Sequence, residues 1–216
     1  MRSLIIPFIL AGLICADRLS AQVSTPRMLE NTGKIAQDYY RVNPFNKDFS
    51  QFLVRLTMDP ALRDSQVLRK TDTTLYFVQG LYRNHQPFFF PAEKVRMVLA
   101  EREIEKDSSG IPESLFIYQL VGYAKPGEDG LADIRKEYEK LSRKLGKMFD
   151  MSHPREIRSG EQVLGEIRDF YFTDLPFAPL TIAWSQDSTQ GNICAITLRF
   201  QVYNNRAFLP VTTYRF

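Results

Sequence analysis

The chain has 216 residues, 44% of them hydrophobic and 25% charged, with 28 Lys and Arg against 25 Asp and Glu. A formal charge of +3 is too small to argue for a nucleic-acid partner. With two cysteines and two histidines, the composition excludes a disulfide-stapled scaffold and leaves little material for a metal centre.

Met1-Arg2 is followed by an apolar run from Leu4 to Ile14 and a more polar stretch ending Leu19-Ser20-Ala21. A positive charge, a short apolar core and a small residue before a cut make up a secretory signal peptide. The run is shorter than the roughly 20 residues that cross a bilayer. Cleavage is expected after Ala21, with Ala16 as the other site. A lipid anchor on Cys15 is the weaker expectation, because bulky Ile14 stands where a lipobox has a small residue. Losing residues 1–21 lowers the +3 charge by one and leaves Cys194 without a disulfide partner. The remainder, 22–216, is expected to fold as one exported α+β domain, periplasmic or secreted, with no transmembrane segment. A chain of this size buries about 70% of its unfolded surface and needs no staples.

Ser24-Thr25-Pro26 signals a helix start, with proline at the first helical position. It predicts a helix over Pro26–Tyr40 carrying Met28, Leu29, Ile35, Ala36 and Tyr39, weakened by Gly33. Asp48 with Gln51 three residues on forms a capping signature, and Phe49, Phe52, Leu53 and Leu56 fall on one stripe. Asp59-Pro60 ends that helix and opens a short turn through Leu62, so 22–70 reads as a helical N-terminal part. From Thr73 to Tyr82 the period changes to two. Leu75, Phe77 and Leu81 point one way while Tyr76, Val78 and Tyr82 point the other, as in an interior strand. Arg83 to Pro91 sets Phe88-Phe89-Phe90 between two prolines and beside His85, which demands a loop or an edge.

Glu93–Glu105 alternates like a strand at Val95, Met97 and Leu99, yet its composition favours a helix. The strong strand Leu115–Ala124, reached through a turn with Gly110 and Pro112, decides for a strand that pairs with it. Residues 131–149 form a long amphipathic helix: Ile134, Tyr138, Leu141, Leu145 and Met148 advance by four, three, four and three. Its outer face carries Arg135, Lys136, Lys140, Arg143, Lys144 and Lys147 against Asp133, Glu137 and Glu139, which reads as a solvated face with internal pairs. Met151–Gln162 looks polar and irregular, and Val163–Phe172 strand-like. The best-defined hairpin follows, with Leu180, Ile182 and Trp184 alternating in one strand and Cys194, Ile196, Leu198, Phe200 and Val202 in the next, joined by a polar loop. Phe208–Phe216 adds an edge strand limited by Pro210. No internal repeat is visible. The expected fold is α+β: a mainly antiparallel sheet of six or seven strands over 73–216, N-terminal helices, and the 131–149 helix packed on one face.

Reactive chemistry is scarce. His85 and His153 lie in loops, and no H-E-x-x-H, C-x-x-C, G-x-S-x-G or phosphate loop is present, so no cofactor or metal is expected. Cys194 belongs to an apolar strand face and reads as structural. Glu101, Glu103 and Glu105 alternate on one side as a wet face, and Asp169 and Asp174 flank the strand of Tyr171. Two carboxylates about 5–9 Å apart would allow glycoside hydrolysis. The remaining signal is aromatic richness, 16 Phe and 10 Tyr with one Trp. Trp184 is assigned to the core. Tyr82, Arg83, His85, Phe88, Arg168 and Tyr171, with Tyr203, make the candidate binding set, since tyrosines beside arginines suit stacking or protein contact. The expectation is an exported, non-enzymatic module binding an unknown protein or glycan. The alternative is a carboxylate-dependent hydrolase of a glycan or cell-envelope polymer, and a third reading lays the basic helix on an anionic membrane.

Overall fold

Residues 25–45, 48–68, 77–82, 92–103, 114–173, 177–187 and 191–202 are described by this computed structural model. Their order is α1 (Thr25–Tyr39), α2 (Phe49–Thr57), β1 (Leu62–Leu68), β2 (Phe77–Tyr82), β3 (Lys94–Glu103), β4 (Ser114–Tyr123), α3 (Glu128–Leu145), β5 (Met151–Ser159), β6 (Gln162–Tyr171), β7 (Leu180–Asp187) and β8 (Gly191–Val202). The strands form one 8-stranded antiparallel sheet in the order β1-β2-β3-β4-β8-β7-β6-β5. That order reads the same unit twice. A helix followed by a four-strand meander, α2 with β1–β4, meets a second one, α3 with β5–β8, and the last strands of the two meanders pair. The duplication is of architecture only; no sequence repeat announces it.

The helices lie on one side of the sheet. There a single cross-strand row joins Val78, Leu99, Tyr118, Leu198, Leu180 and Phe170, each 0% exposed. The α3 seam packs on β7 and β8, with Leu131, Ile134, Tyr138, Leu141 and Leu145 buried. The second helix has half that length. Phe52 of α2 meets Tyr118 and Phe200 edge-on, and Phe49 meets Phe116 with centroids 4.2 Å apart. The first helix adds Ile35 and Ala36 to the core, and just beyond it the Tyr40 ring packs tilted against Tyr118, with centroids 4.6 Å apart. Arg27 pairs with Asp150, Asn31 donates to the Met148 carbonyl and Lys144 pairs with Asp38, so α1 is tied to the C-terminal end of α3.

Local signals act as expected at several joints. Asp48 accepts the Gln51 N–H at 2.8 Å and caps α2. No side chain caps α3; instead buried Asn192, at the start of β8, donates to the carbonyls of Gly127 and Lys125. The loop closes so tightly that a Cβ on Gly130 would stand 1.9 Å from the Lys125 carbonyl oxygen. The hairpin is as expected, its register setting Leu180 opposite Leu198 and Trp184 opposite Cys194, and β3 is indeed a strand paired with β4 along its whole length.

Four expectations are corrected. The sheet has eight strands rather than six or seven. The 22–70 stretch is not all helix, because Leu62–Leu68 is edge strand β1, whose polar residues hide its alternation and whose register shifts between Arg63 and Gln66. Met151–Ser159 is likewise an edge strand, not irregular chain. It is almost wholly exposed, so no apolar period marks it, and Pro154 is tolerated at an edge. Glu101 is not on a wet face; it is 2% exposed on the helix side, opposite Phe116. The leader, the Phe88 loop, Glu105, Asp174 and the 208–216 strand lie outside the described residues. Among the described residues no helix is long and apolar enough to cross a membrane.

Leu141→Asp sets a charge into the α3 seam and is expected to cost at least about 3 kcal/mol, whereas Lys140→Glu, on the open side of the helix, is expected to cost about 0.5 kcal/mol or less. Thermal unfolding of both variants checks the packing. Gly33 has nothing within 4 Å of a built Cβ, while a Cβ on Gly165 would stand 2.2 Å from the Trp184 carbonyl oxygen. Gly33→Ala is therefore expected to stabilise by about 0.5–1 kcal/mol and Gly165→Ala to destabilise by about 1–3 kcal/mol, measured by denaturant midpoint.

Candidate functional site

Because a strand turns alternate residues to opposite faces, cladding one face with helices leaves a second set of side chains on the other. No described element packs on that second face. Its register can be read across all eight strands. One row runs His153, Asp169, Thr181, Thr197, Gln119, Val98, Gln79 and Gln66. The neighbouring row runs Arg155, Ile167, Ala183, Ala195, Val121, Arg96, Leu81 and Arg63.

The first row is a hydrogen-bonded belt. Asp169, only 6% exposed, accepts from the Thr181 hydroxyl at 2.6 Å and from Arg155 Nη2 at 2.6 Å. Arg199 Nη1 donates to Thr181 Oγ1 and to the Ala178 carbonyl. Further across, Gln119 Nε2 donates to Thr197 Oγ1 at 3.0 Å, and Gln79 Nε2 to Gln66 Oε1 at 3.0 Å. Asp169, Thr181 and Thr197 are 6%, 6% and 4% exposed, and these bonds fix their side chains and compensate the cost of their burial. Arg63, Lys94, Arg96, Arg155 and Arg199 stand on this face against the Asp169 carboxylate, so the described part of it is electropositive.

The expected binding set is distributed over both sides of the sheet. Tyr82 is buried on the helix side beneath Arg41, whose guanidinium lies 5.8 Å from the ring centroid and pairs with buried Asp59. Arg168 is also on the helix side, in a cluster where it and Tyr138 both donate to Glu166. Tyr171 belongs to the uncovered face, edge-on to His153 at 5.3 Å. Arg83, His85, Phe88 and Tyr203 lie outside the described residues. Sequence reasoning passed over Thr181, Thr197, Gln119, Arg155 and Arg199. The available signal for Thr181, Thr197, Gln119 and Arg199 was their phase, since each is polar at the strand position between two core residues, whereas exposed β5 gave none for Arg155.

Nothing among the described residues assembles a reactive centre. His153 is opposite Asp169 in the register, but it is exposed, and both carboxylate oxygens already accept from Thr181 and Arg155. Glu101 and Asp169 are on opposite faces of the sheet. Burial raises the Cys194 thiol well above its ordinary range, the reverse of what a nucleophile needs. No group of three His, Cys, Asp or Glu among the described residues is placed to hold a metal ion. Comparison with family models, with curated proteins and with solved structures found no match.

The helix side carries the larger proton linkage. Burial pushes Tyr82 up to about 12 and raises Tyr40, Tyr118 and Tyr138 as well. The Tyr40 hydroxyl bridges the carbonyls of Tyr118 and Ile196, while the hydroxyls of Tyr82 and Tyr118 are buried next to each other. A phenol whose folded pKa is raised favours the native state below its unfolded value, and that stability is lost as pH rises through the folded pKa. Stability is therefore expected to fall above about pH 10, with tyrosinate absorbance from these four rings appearing together with unfolding rather than ahead of it. A spectrophotometric titration followed in parallel by circular dichroism checks this.

Proposed function

We propose that the chain is an exported, non-enzymatic binding module that carries its ligand on the uncovered face of the sheet. The observation behind this is the row of hydrogen-bonded groups, Arg155–Asp169–Thr181–Arg199, Gln119–Thr197 and Gln79–Gln66, on a face that no described element covers. Fixed polar groups beside exposed cations give directional contacts at a low ordering cost, as a recognition surface requires. Export, to the periplasm or the exterior, rests on the leader pattern of Met1–Ala21. The hydrolase alternative finds less support. Of its candidate carboxylates, Glu101 is enclosed on the helix side and Asp169 is engaged by Arg155 and Thr181.

Site-directed crosslinking separates the two sides of the molecule. In the chain from residue 22 onward Cys194 is the remaining cysteine and is buried, so a benzophenone maleimide reacts only at an introduced thiol. Ala183→Cys places the probe on the uncovered face and Val54→Cys places it on the exposed side of α2. In an extracytoplasmic extract of the producing cells, adducts are expected from position 183 and not from position 54. Adducts from position 54 alone would overturn the proposal. Turnover of a soluble cell-wall glycan that Asp169→Asn abolishes would replace it with the hydrolase reading.

A further inference from the structure

The row beside the polar belt has its own pattern, and it runs the full width of the sheet. Arg155 stands on edge strand β5, Arg63 on edge strand β1 and Arg96 on β3, all in one register line. Between Arg155 and Arg96 the line is floored by the half-buried Ile167, Ala183 and Ala195, with Val121 buried at 5% exposure, and between Arg96 and Arg63 by half-buried Leu81. The small side chains of Ala183 and Ala195 make the floor low at its middle. Arg155 is 62% exposed at its side chain, and its partner Asp169 already belongs to the belt. Among the described residues no carboxylate pairs with Arg63 or Arg96, and Arg96 Nε is buried without an acceptor.

We propose that this row receives an acidic, extended segment of a partner protein, laid across the strands with its carboxylates on the three arginines and its apolar side chains on the floor. The inference rests on the reading of the uncovered face as the ligand surface and adds the chemical class of the ligand. Dimensions favour a chain. Seven inter-strand steps of about 4.8 Å span about 34 Å, the length of about ten residues of extended peptide. Adjacent strands rotate by about 20°, so the row turns through roughly 140° from edge to edge. A flat bilayer cannot touch Arg63 and Arg155 together on such a surface, whereas a flexible segment follows the twist. The floor argues against a nucleic acid or an acidic glycan. Neither has aliphatic side chains to set on Ile167 and Ala183, and the row holds no aromatic ring for bases or sugars to stack on. Arginine beside apolar residues, with a satisfied polar belt alongside, is the composition of a protein-contact surface.

The probe is a fluorescein-labelled twelve-residue peptide of alternating glutamate and leucine, titrated into the full chain and followed by anisotropy at about 0.1 M salt. Binding is expected, with perturbation of the Ala183 and Ala195 amides in a heteronuclear spectrum. Affinity is expected to fall at least about tenfold in the variant Arg63→Gln, Arg96→Gln, Arg155→Gln, and to be unchanged in Lys140→Gln on α3. Matched melting temperatures exclude unfolding as the cause. If the triple variant does not fold, Arg96→Gln alone is used, with about a threefold loss expected. Absence of binding, or binding that the arginine variants leave unchanged, overturns the proposal. Equal affinity for poly-L-glutamate or heparin would also overturn it in favour of an unselective polyanion surface, and arginine-dependent binding to phosphatidylserine vesicles in place of the peptide would favour a membrane. Crosslinks from Ala183→Cys that persist when the peptide fails would show that only the ligand class was wrong; loss of both would remove the binding face as well.

Discussion

The pairing of β4 with β8 is the constraint on which the rest of the molecule depends. Ten residue pairs, from Ser114 opposite Val202 to Tyr123 opposite Ile193, join two meanders that share no other strand pairing among the described residues. These partners lie about seventy to ninety residues apart in the chain, so loop closure must be compensated by what the seam buries. Phe116, Tyr118 and Leu120 from one half meet Cys194, Ile196, Leu198 and Phe200 from the other on the helix side, where Phe52 and Tyr40 cover them. The Tyr40 hydroxyl reaches a carbonyl on each of the two strands, Tyr118 and Ile196, and so ties the N-terminal segment to both halves at once.

Once that seam sets which face is clad, the opposite face follows without further choice. In a strand the side-chain period is two, so every residue between two core positions is delivered to the second face. Thr181 sits between Leu180 and Ile182, and Thr197 between Ile196 and Leu198. The β7–β8 register sets these two threonines opposite each other, and the β4–β8 register places Gln119 beside Thr197. The belt and the arginine row are thus by-products of core registration, available to be shaped into a recognition surface. The two edges are blunted differently. The β5 edge carries Pro154 and charged residues, and the β1 edge carries a register shift near Asp64, whose φ of 50° is positive. Both devices discourage strand addition at the edges.

Legibility varied with the kind of signal. The α3 seam was readable because five apolar residues at helical spacing fall on one stripe, and the β7–β8 hairpin because both strands alternate cleanly. Asp48 was readable as a cap because capping is decided within four residues. By contrast β1 and β5 are edge strands whose side chains mostly meet water, so they carry no apolar period. Glu101 was misplaced for a related reason: a charged residue in a strand suggests solvent, yet here its phase is shared with Val95, Met97 and Leu99, and phase prevailed. Tyr82 and Arg168 were grouped as neighbours, but they lie in different halves of the sheet and both face the helices.

Local order was therefore written in the amino-acid sequence by itself: an α+β chain, the amphipathic helix, the alternating strands, the buried Cys194 and Trp184, and the scarcity of reactive motifs. These depend on spacings of two, three and four residues, and such spacings are visible in the chain. Only the tertiary structure decided the eight-strand order, the twofold use of a helix–meander unit, and the rows that set Asp169 beside Thr181 or Arg155 in line with Arg96. Those neighbours are created by register between strands remote in sequence. Register is selected by the fit of two buried surfaces to each other, a property that neither strand carries alone.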